Sequence, residues 1–147
     1  MSAETQPPVA DSPDPSVAEH VRRYLATDGA SGYREGGVTN LVLTHRGRRS
    51  GRRYRTGLFY GEENGRYVLV ASGSAITHTH PQWYLNLVAE PEAEVQILGE
   101  RFTVRARTTE GAERDRLWRL MTGLAPVYHT YAARSRREIP VVVLDRT

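Results

Sequence analysis

The residues with the most evident chemistry form a short turn, Gly47-Arg48-Arg49-Ser50-Gly51. Its two glycines allow positive φ angles and a close approach of the backbone, while two guanidinium groups and a hydroxyl can donate hydrogen bonds to an anion. The spacing fits neither a Walker phosphate-binding loop nor a GxGxxG dinucleotide fingerprint. The turn alone is therefore compatible with a solvated basic hairpin or with a site for an anionic ligand.

The net charge of the chain is concentrated around this turn. The 147 residues include 20 basic residues, all of them arginine, and 17 acidic residues, which gives a formal charge of +3. Six arginines and no acid lie between Arg46 and Arg55, so the rest of the chain has more acids than arginines. Codon usage in a GC-rich genome would account for the absence of lysine, and recognition of phosphate or carboxylate by planar guanidinium groups is the alternative. The surplus of positive charge is local and favours a local anionic partner.

Nucleic acid is the first alternative for that partner. The basic stretch is short, few aromatic residues are interleaved with it, and the remaining chain is slightly acidic, all of which is atypical of a nucleic-acid surface. We therefore expect a small anionic ligand and no nucleic acid.

Composition excludes several other classes of protein. The absence of lysine excludes Schiff-base and pyridoxal-phosphate enzymes, and the absence of cysteine excludes disulfides, thiol catalysis and cysteine-ligated clusters. No apolar run approaches the ~20 residues that span a bilayer, and the N-terminus lacks a signal-peptide pattern, so a cytoplasmic protein is expected. His78 and His80 form an H-x-H pair without a nearby third ligand, and no metal site is predicted.

Two further motifs have chemical interest. In Val70-Ala71-Ser72-Gly73-Ser74, small residues at a predicted strand end would let a flat ligand approach backbone amides. In Pro81-Gln82-Trp83-Tyr84-Leu85-Asn86-Leu87, Trp83 and Asn86 share one face of a predicted helix. An aromatic wall beside a polar anchor suits a ligand site, although a tryptophan on such a helix also packs well in a core.

Two segments precede the domain that carries these motifs. Residues 1–15 contain four of the eight prolines and predict a flexible tail. Residues 16–39 comprise a helix that begins near Ser16, its expected N-cap, and a glycine-rich loop. The main domain covers residues 40–147, and at its start, from Asn40, the hydrophobic period changes to two, which is typical of strands.

Six strands, joined mostly by turns, and three helices are predicted in this main domain. The strands cover 41–45, 53–60, 66–72, 93–98, 101–108 and 139–144, and the helices begin near Pro81, Glu110 and Pro126. This order favours an α+β fold in which an antiparallel sheet curls into a small barrel.

Taken together, the motifs G-R-R-S-G, V-A-S, P-x-W-Y-L-N-L and I-P-V-V-V-L resemble the deazaflavin-dependent nitroreductase family of actinobacteria. The resemblance covers about Leu41 to Leu144. Members of that family are reductases that use coenzyme F420, and they have a split β-barrel fold related to FMN-binding barrels. The resemblance therefore implies an α+β split β-barrel of about six strands with flanking helices.

The resemblance also implies where the cofactor binds. Its phosphate and oligoglutamate tail are anionic, and they would be held by Arg48, Arg49, Ser50, Arg55 and Thr56. Phe59 matches an aromatic position near the deazaflavin ring. The ring and ribityl chain would lie against Ala71, Ser72 and Gly73, and the pocket would be closed by Trp83 and Asn86.

The implied reaction is hydride transfer from reduced F420, F420H2, to a quinone-like, unsaturated or nitro acceptor. Tyr128 and Tyr131, one helical turn apart, match substrate-side tyrosines and are the expected catalytic residues, since phenols can stabilise developing negative charge or donate a proton. The alternative is that they pack in the core. The expected partners are a small-molecule acceptor and a second copy of the chain, and any membrane contact through the N-terminal helix would be weak and peripheral.

The sequence departs from the family pattern at three places. Gly73 stands where many members have lysine, Thr56-Gly57 replaces an Asn-Pro pair, and Ala125 replaces a tyrosine of some members. Nitroreduction therefore does not follow from the resemblance alone. A non-catalytic F420-binding protein and a nucleic-acid-binding barrel are the alternative functions.

Overall fold

A computed structural model describes residues 8–73 and 79–147. It contains four helices, α1 (Pro15–Thr27), α2 (Gln82–Ala89), α3 (Gly111–Leu124) and α4 (Val127–Arg134). Its strands are β1 (Arg34–Glu35), β2 (Val38–Arg46), β3 (Arg53–Phe59), β4 (Gly61–Glu63), β5 (Arg66–Val70), β6 (Glu92–Ile97), β7 (Glu100–Thr108) and β8 (Val141–Arg146). All six strands and the helices predicted from the sequence are present, and β1 and β4 are short additions within predicted loops.

The strands form one antiparallel sheet that curls upon itself. Its order is β1-β2-β6-β7-β8-β5-β4, with β3 also paired to β2. The register of β2 and β3 runs from Asn40 opposite Phe59 to Arg46 opposite Arg53. This mixed α+β architecture is the split β-barrel that the resemblance implies.

The core has two layers because alternate residues of each strand face opposite sides of the sheet. Leu41, Leu43, Leu69 and Leu144 fill the interior of the curl, where Trp83 and Leu87 of α2 join them. On the outer side, α3 and α4 cover valines of β5 and β8 through Leu117, Met121 and Tyr128. Helix α1 covers a separate outer patch around Val42.

The N-cap of helix α1 lies two residues earlier than expected, and the helix begins at Pro15. The side chain of Asp14, not that of Ser16, caps it, because Asp14 Oδ1 accepts hydrogen bonds from the Ser16 N–H at 2.9 Å and from the Ser16 hydroxyl at 2.7 Å. Tyr24 anchors the helix to the sheet by donating to the Asn40 carbonyl at 3.0 Å and accepting from the Leu98 N–H at 2.8 Å. None of the described helices is long and apolar enough to cross a membrane.

The segment before α1 lies along the outer edge of β3. Ala10 forms a parallel bridge with Tyr54, donating to the Arg53 carbonyl at 2.8 Å and accepting from the Arg55 N–H at 3.3 Å. Part of the predicted tail therefore makes backbone hydrogen bonds with the sheet, and residues 1–7 of that tail lie outside the described residues.

The family pattern has an Asn-Pro pair where this chain has Thr56-Gly57, and the contact between β3 and α1 gives a structural reason for the glycine. A Cβ atom at Gly57 would overlap the ring of His20, which is itself buried and lies 2.9 Å from the Gly32 carbonyl through Nε2. Gly57 therefore lets α1 pack closely on β3.

Replacing Gly57 with alanine is expected to lower the free energy of unfolding by about 1–3 kcal/mol, because the added methyl group displaces His20. Urea denaturation would measure the change. Gly123→Ala is the matched control, since a Cβ there meets open space in α3 and should be neutral or stabilising. Equal effects of the two substitutions would contradict the proposed packing constraint.

Candidate functional site

The arginine-rich turn is a tight loop between β2 and β3. Its base is closed by the Gly47 N–H, which donates to the Arg52 carbonyl at 2.7 Å, and its tip by the Gly51 N–H, which donates to the Gly47 carbonyl at 2.9 Å. Gly51 has a φ of 72°. Gly47 is required for space, because an added Cβ would lie 2.8 Å from both the Ser50 hydroxyl and the Tyr54 ring.

A cavity of about 450 Å³ lies between this turn, β3 and α2. It includes seven of the residues predicted to hold the cofactor, namely Arg48, Arg49, Ser50, Arg55, Thr56, Trp83 and Asn86. The other lining residues are Ser12, Pro13, His45, Gly47, Tyr54 and Gln82. No acidic side chain is among them, so the cavity is electropositive.

Asn86 ties the helix to the turn. Its Oδ1 accepts hydrogen bonds from the Arg48 backbone N–H at 3.1 Å and from Arg48 Nη1 at 2.8 Å. Its Nδ2 lies 3.1 Å from Nδ1 of His45. Asn86 is buried, its contact with His45 is buried as well, and its two hydrogen bonds with Arg48 are partly buried. One side chain of α2 therefore fixes both the backbone and the guanidinium of Arg48.

Trp83 packs in the core and also lines the cavity. It is 8% exposed and packs among the interior residues of the sheet, yet it also lines the cavity. The two interpretations of this residue from sequence, core packing and ligand contact, are thus both compatible with its position.

The arginines at the cavity differ from those elsewhere in their partners. Seven arginines on other parts of the surface form ion pairs with carboxylates: Arg23, Arg66, Arg105, Arg107, Arg114, Arg116 and Arg146. Within residues 8–73 and 79–147, no ion pair involves Arg46, Arg48, Arg49, Arg52 or Arg55. Positive charge is therefore left uncompensated at the cavity, which suits an anionic ligand.

Phe59, Tyr128 and Tyr131 form a second cluster outside this cavity. The ring centroids of Phe59 and Tyr128 are 6.4 Å apart, and those of Tyr128 and Tyr131 are 6.2 Å apart. Tyr128 is 5% exposed, and its burial raises the pKa of the phenol above the ordinary value. Phe59 lies three residues along β3 from Thr56, about 10 Å away at the rise of a strand. The strand therefore connects the cavity to the tyrosines.

Ala71, Ser72 and Gly73 follow β5 and do not line the cavity. The carbonyl oxygens of Ala71 and Ser72 accept hydrogen bonds from the Arg137 guanidinium, at 3.2 Å and 2.9 Å. Burial lowers the pKa of Arg137, and its Nε atom is buried without a hydrogen-bond partner in the described structure. Sequence reasoning missed this arginine, because nothing in its neighbourhood along the chain links it to β5.

His45, Tyr54, Gln82, Ser12 and Pro13 were also missing from the predicted site. Tyr54 could have been found, because it alternates with Thr56 along β3 and therefore shares a side with it. Residues 12 and 13 gave no signal, since they reach the cavity only through the Ala10 bridge.

A metal site was not expected, and one residue of the H-x-H pair, His78, lies outside the described residues. Among the described residues, no group of three or more potential ligands is close enough to hold a metal ion. His80 stacks edge-on against Tyr84 with centroids 5.0 Å apart.

A family model for F420H(2)-dependent quinone reductases matches residues 16–146, nearly the whole chain. The chain belongs to this family. It is 34% identical over 131 residues to an F420H(2)-dependent quinone reductase of Mycobacterium tuberculosis, covering 86% of this chain and 87% of that protein. The reductase identity and the cofactor F420H2 implied by the sequence motifs are thereby confirmed.

Solved structures support the same assignment. The F420H2-dependent reductase FDR-A has 34% sequence identity and a TM-score of 0.66, and the match covers 72% of this reductase and 93% of FDR-A. A structure described as a domain-swapped dimer has 33% identity and a TM-score of 0.69, covering 91% and 100% of the two chains. The heme storage protein HutZ from Vibrio cholerae, at 14% identity and a TM-score of 0.56, shares the fold alone, over 78% and 85% of the chains.

Membership of this family assigns the chain to the F420-dependent reductases. The alternatives of a non-catalytic F420-binding protein and of a nucleic-acid-binding barrel do not describe the family that it matches. The residues at the cavity also fit the cofactor, because three arginines that have no carboxylate partner in residues 8–73 and 79–147 line a space large enough for phosphate and carboxylate groups.

Burial lowers the pKa of His45 to about 4, from an ordinary value of 6.5. Between pH 6.5 and pH 4, His45 binds a proton in the unfolded chain but stays neutral in the folded protein. Folding therefore becomes less favourable as the pH falls. The free energy of unfolding of the reductase should therefore decrease from pH 6.5 to pH 4 by up to about 3 kcal/mol more than that of a His45→Asn variant. Denaturant titrations across this range would measure both slopes. Equal slopes would contradict a neutral, buried His45.

Proposed function

We propose that this reductase transfers a hydride from F420H2 to a quinone and holds the anionic end of the cofactor in the cavity beside the arginine-rich turn. The observation that carries the proposal is a set of arginines that have no carboxylate partner among the described residues, around a cavity whose described lining contains no acid. A phosphate and an oligoglutamate tail supply the negative charge that the cavity lacks.

The arginines have different tasks in this arrangement. Arg48 is half-buried, and Asn86 already occupies its backbone N–H and Nη1, so its remaining guanidinium donors are held in one orientation. Arg49 is exposed and makes no such contact, which leaves its planar guanidinium for bidentate binding of a flexible carboxylate or phosphate. We assign Arg48 to the phosphate and Arg49 to the more mobile tail.

The ring end of the cofactor belongs, in this proposal, near Phe59 and the end of β5. Strand β3 leads from Arg55 and Thr56 to Phe59, and β3 approaches β5 in the curled sheet. Arg137 holds the carbonyl groups of Ala71 and Ser72, so the backbone at this end of β5 has a defined conformation. A cofactor with its anionic tail at the turn would place its ring in this direction.

In this proposal, Tyr128 and Tyr131 donate hydrogen bonds to the acceptor. F420H2 supplies the hydride, and a quinone that accepts it also needs a proton to become a hydroquinone. The phenol of Tyr128 is protonated at neutral pH, since burial raises its pKa further above an already alkaline ordinary value, and it can donate a hydrogen bond to the quinone oxygen as negative charge develops there. Tyr131, half-buried beside it, would act as the second donor.

Nitro and unsaturated compounds are the alternative acceptors. Like a quinone, they gain negative charge on oxygen when they accept a hydride, and the same phenols could stabilise it. We propose the quinone first, because the relatives of this reductase are named for it. Titrating F420 against the protein and then adding menadione, a nitroarene or an enone to the reduced complex would rank these acceptors. Absence of F420 binding would refute the proposed function.

We also propose a homodimer, supported by the relative described as a domain-swapped dimer. Light scattering of the purified protein would measure the mass of the assembly in solution. A mass close to 16.5 kDa at all concentrations would contradict this proposal.

Replacing Arg49 with alanine is expected to weaken F420 binding by about tenfold to hundredfold, since a hydrogen-bonded charged pair contributes about 1.5–3 kcal/mol. The loss should shrink at high salt, which screens the interaction. Cofactor fluorescence measures the affinity. Arg119→Ala, at an exposed arginine of α3 outside the cavity, is the control and should leave the affinity unchanged. Equal affinities of both variants would contradict the anion site.

Replacing Tyr128 with phenylalanine is expected to lower kcat for menadione by about tenfold to hundredfold, because the donor to the developing oxyanion is lost. The Kd of F420 should change little. Tyr84→Phe removes a partly buried hydroxyl that contacts the Thr108 hydroxyl at 2.8 Å outside the cluster of Phe59, Tyr128 and Tyr131, and it should leave kcat unchanged. Proportionate losses of affinity and turnover in Tyr128→Phe would indicate a structural role.

A further inference from the structure

We propose that His45 is a positioning residue of the anion site, which orients the amide of Asn86 so that Asn86 in turn holds Arg48. This inference rests on the proposed function of the same cavity. It assigns a role to a histidine that neither the motifs nor the family membership identified.

The argument begins with the two ends of the Asn86 amide. Its oxygen faces the Arg48 backbone N–H at 3.1 Å and Arg48 Nη1 at 2.8 Å, and both of those atoms are donors. Its nitrogen, also a donor, faces Nδ1 of His45 at 3.1 Å. The contact is favourable only when Nδ1 is the acceptor, so the imidazole must be neutral and must carry its proton on Nε2.

The surroundings of His45 keep it in that form. Its side chain is buried, and burial lowers its pKa to about 4. The charged groups that line the same cavity are Arg48, Arg49 and Arg55, all of them cations, and no carboxylate among the lining residues could pair with a protonated His45. At neutral pH, His45 is therefore a fixed acceptor. Protonation would convert Nδ1 into a donor that opposes the Asn86 nitrogen.

Tyr54 provides a second contact that can be separated from the first. Its ring stacks on that of His45 with centroids 6.0 Å apart and an angle of 29° between the planes. Its hydroxyl lies 3.2 Å from the Ser50 hydroxyl on the turn. Replacing His45 could therefore act through packing or through the amide, and a suitable test must distinguish the two.

Two substitutions of His45 make that distinction. His45→Phe retains an aromatic ring beside Tyr54 but has no acceptor, whereas His45→Asn loses the ring and restores an oxygen close to the position of Nδ1. We expect F420 to bind about tenfold more weakly to the phenylalanine variant, as for loss of one hydrogen bond, and the asparagine variant to stay within about twofold of the wild type. Circular dichroism would confirm folding, and His45→Leu replaces the phenylalanine variant if that variant does not fold.

Double-mutant cycles test whether His45 acts through Arg48. In an Arg48→Ala background, His45→Phe should cause no further loss of F420 affinity, because the residue being positioned is gone. In an Arg49→Ala background the two losses should add, since Arg49 has no contact with Asn86. Additive losses with Arg48, or an asparagine variant as weak as the phenylalanine variant, would overturn the inference.

A readout that does not depend on F420 separates this inference from the proposed function. The ¹⁵N resonances of the imidazole should show a proton on Nε2 in the wild type, and a proton on Nδ1 would overturn the inference. If F420 does not bind to the wild type, the proposed function fails, and the same cycles are measured with inorganic phosphate as the probe. Phosphate binding that is coupled between His45 and Arg48 would support the inference, and uncoupled or absent phosphate binding would overturn it.

Discussion

The pairing of β3 with β2 determines the geometry of the whole site. It runs over the full length of β3, from Arg53 opposite Arg46 to Phe59 opposite Asn40, and it fixes which residues point to which side. A slip of one residue would turn Thr56 away from the cavity and Gly57 away from α1. The same register places Tyr54 opposite His45, so the stacking of their rings is a consequence of strand pairing. The free edge of β3 then becomes available to the cavity and to the Ala10 segment.

The charges of the chain are separated in space as well as in sequence. Carboxylates on the other surfaces are matched by arginines such as Arg107 and Arg116, whose pKa values are raised by hydrogen bonds to Glu113 and Glu63. The arginines of the turn have no such partners among the described residues. Because exposed ion pairs add little to stability, the consequence of this distribution is an electropositive cavity on a protein that is otherwise nearly balanced.

The two ends of the site differ in their physical character. The turn is open and charged, and it suits a flexible polyanion whose charge is recognised without close packing. The region around Phe59 and Tyr128 is buried and aromatic, which suits a planar ring and keeps the phenol protonated. In the arrangement proposed above, the anionic tail of the cofactor would bind at the turn and its planar ring near Phe59, and the strand between them would set their separation.

Sequence by itself determined the features that depend on neighbouring residues. Alternation identified all six long strands, and Pro81 and Pro126 marked the starts of helices. The cluster from Arg46 to Arg55 predicted an anion site and contains four of the seven predicted residues that line the cavity. These signals are local, since a strand period, a helix start or a run of like charge is complete within a few residues.

Only the tertiary structure decided the contacts between distant residues. Asn86 and His45 are 41 positions apart, and they meet because α2 packs over the end of β2. Arg137 reaches carbonyl groups 65 and 66 positions earlier, and the Ala10 segment completes the cavity from outside the predicted domain. The physical reason is that a periodic pattern specifies which face of an element is buried but not what lies against it. Strand register and helix packing determine which distant residues contact that face.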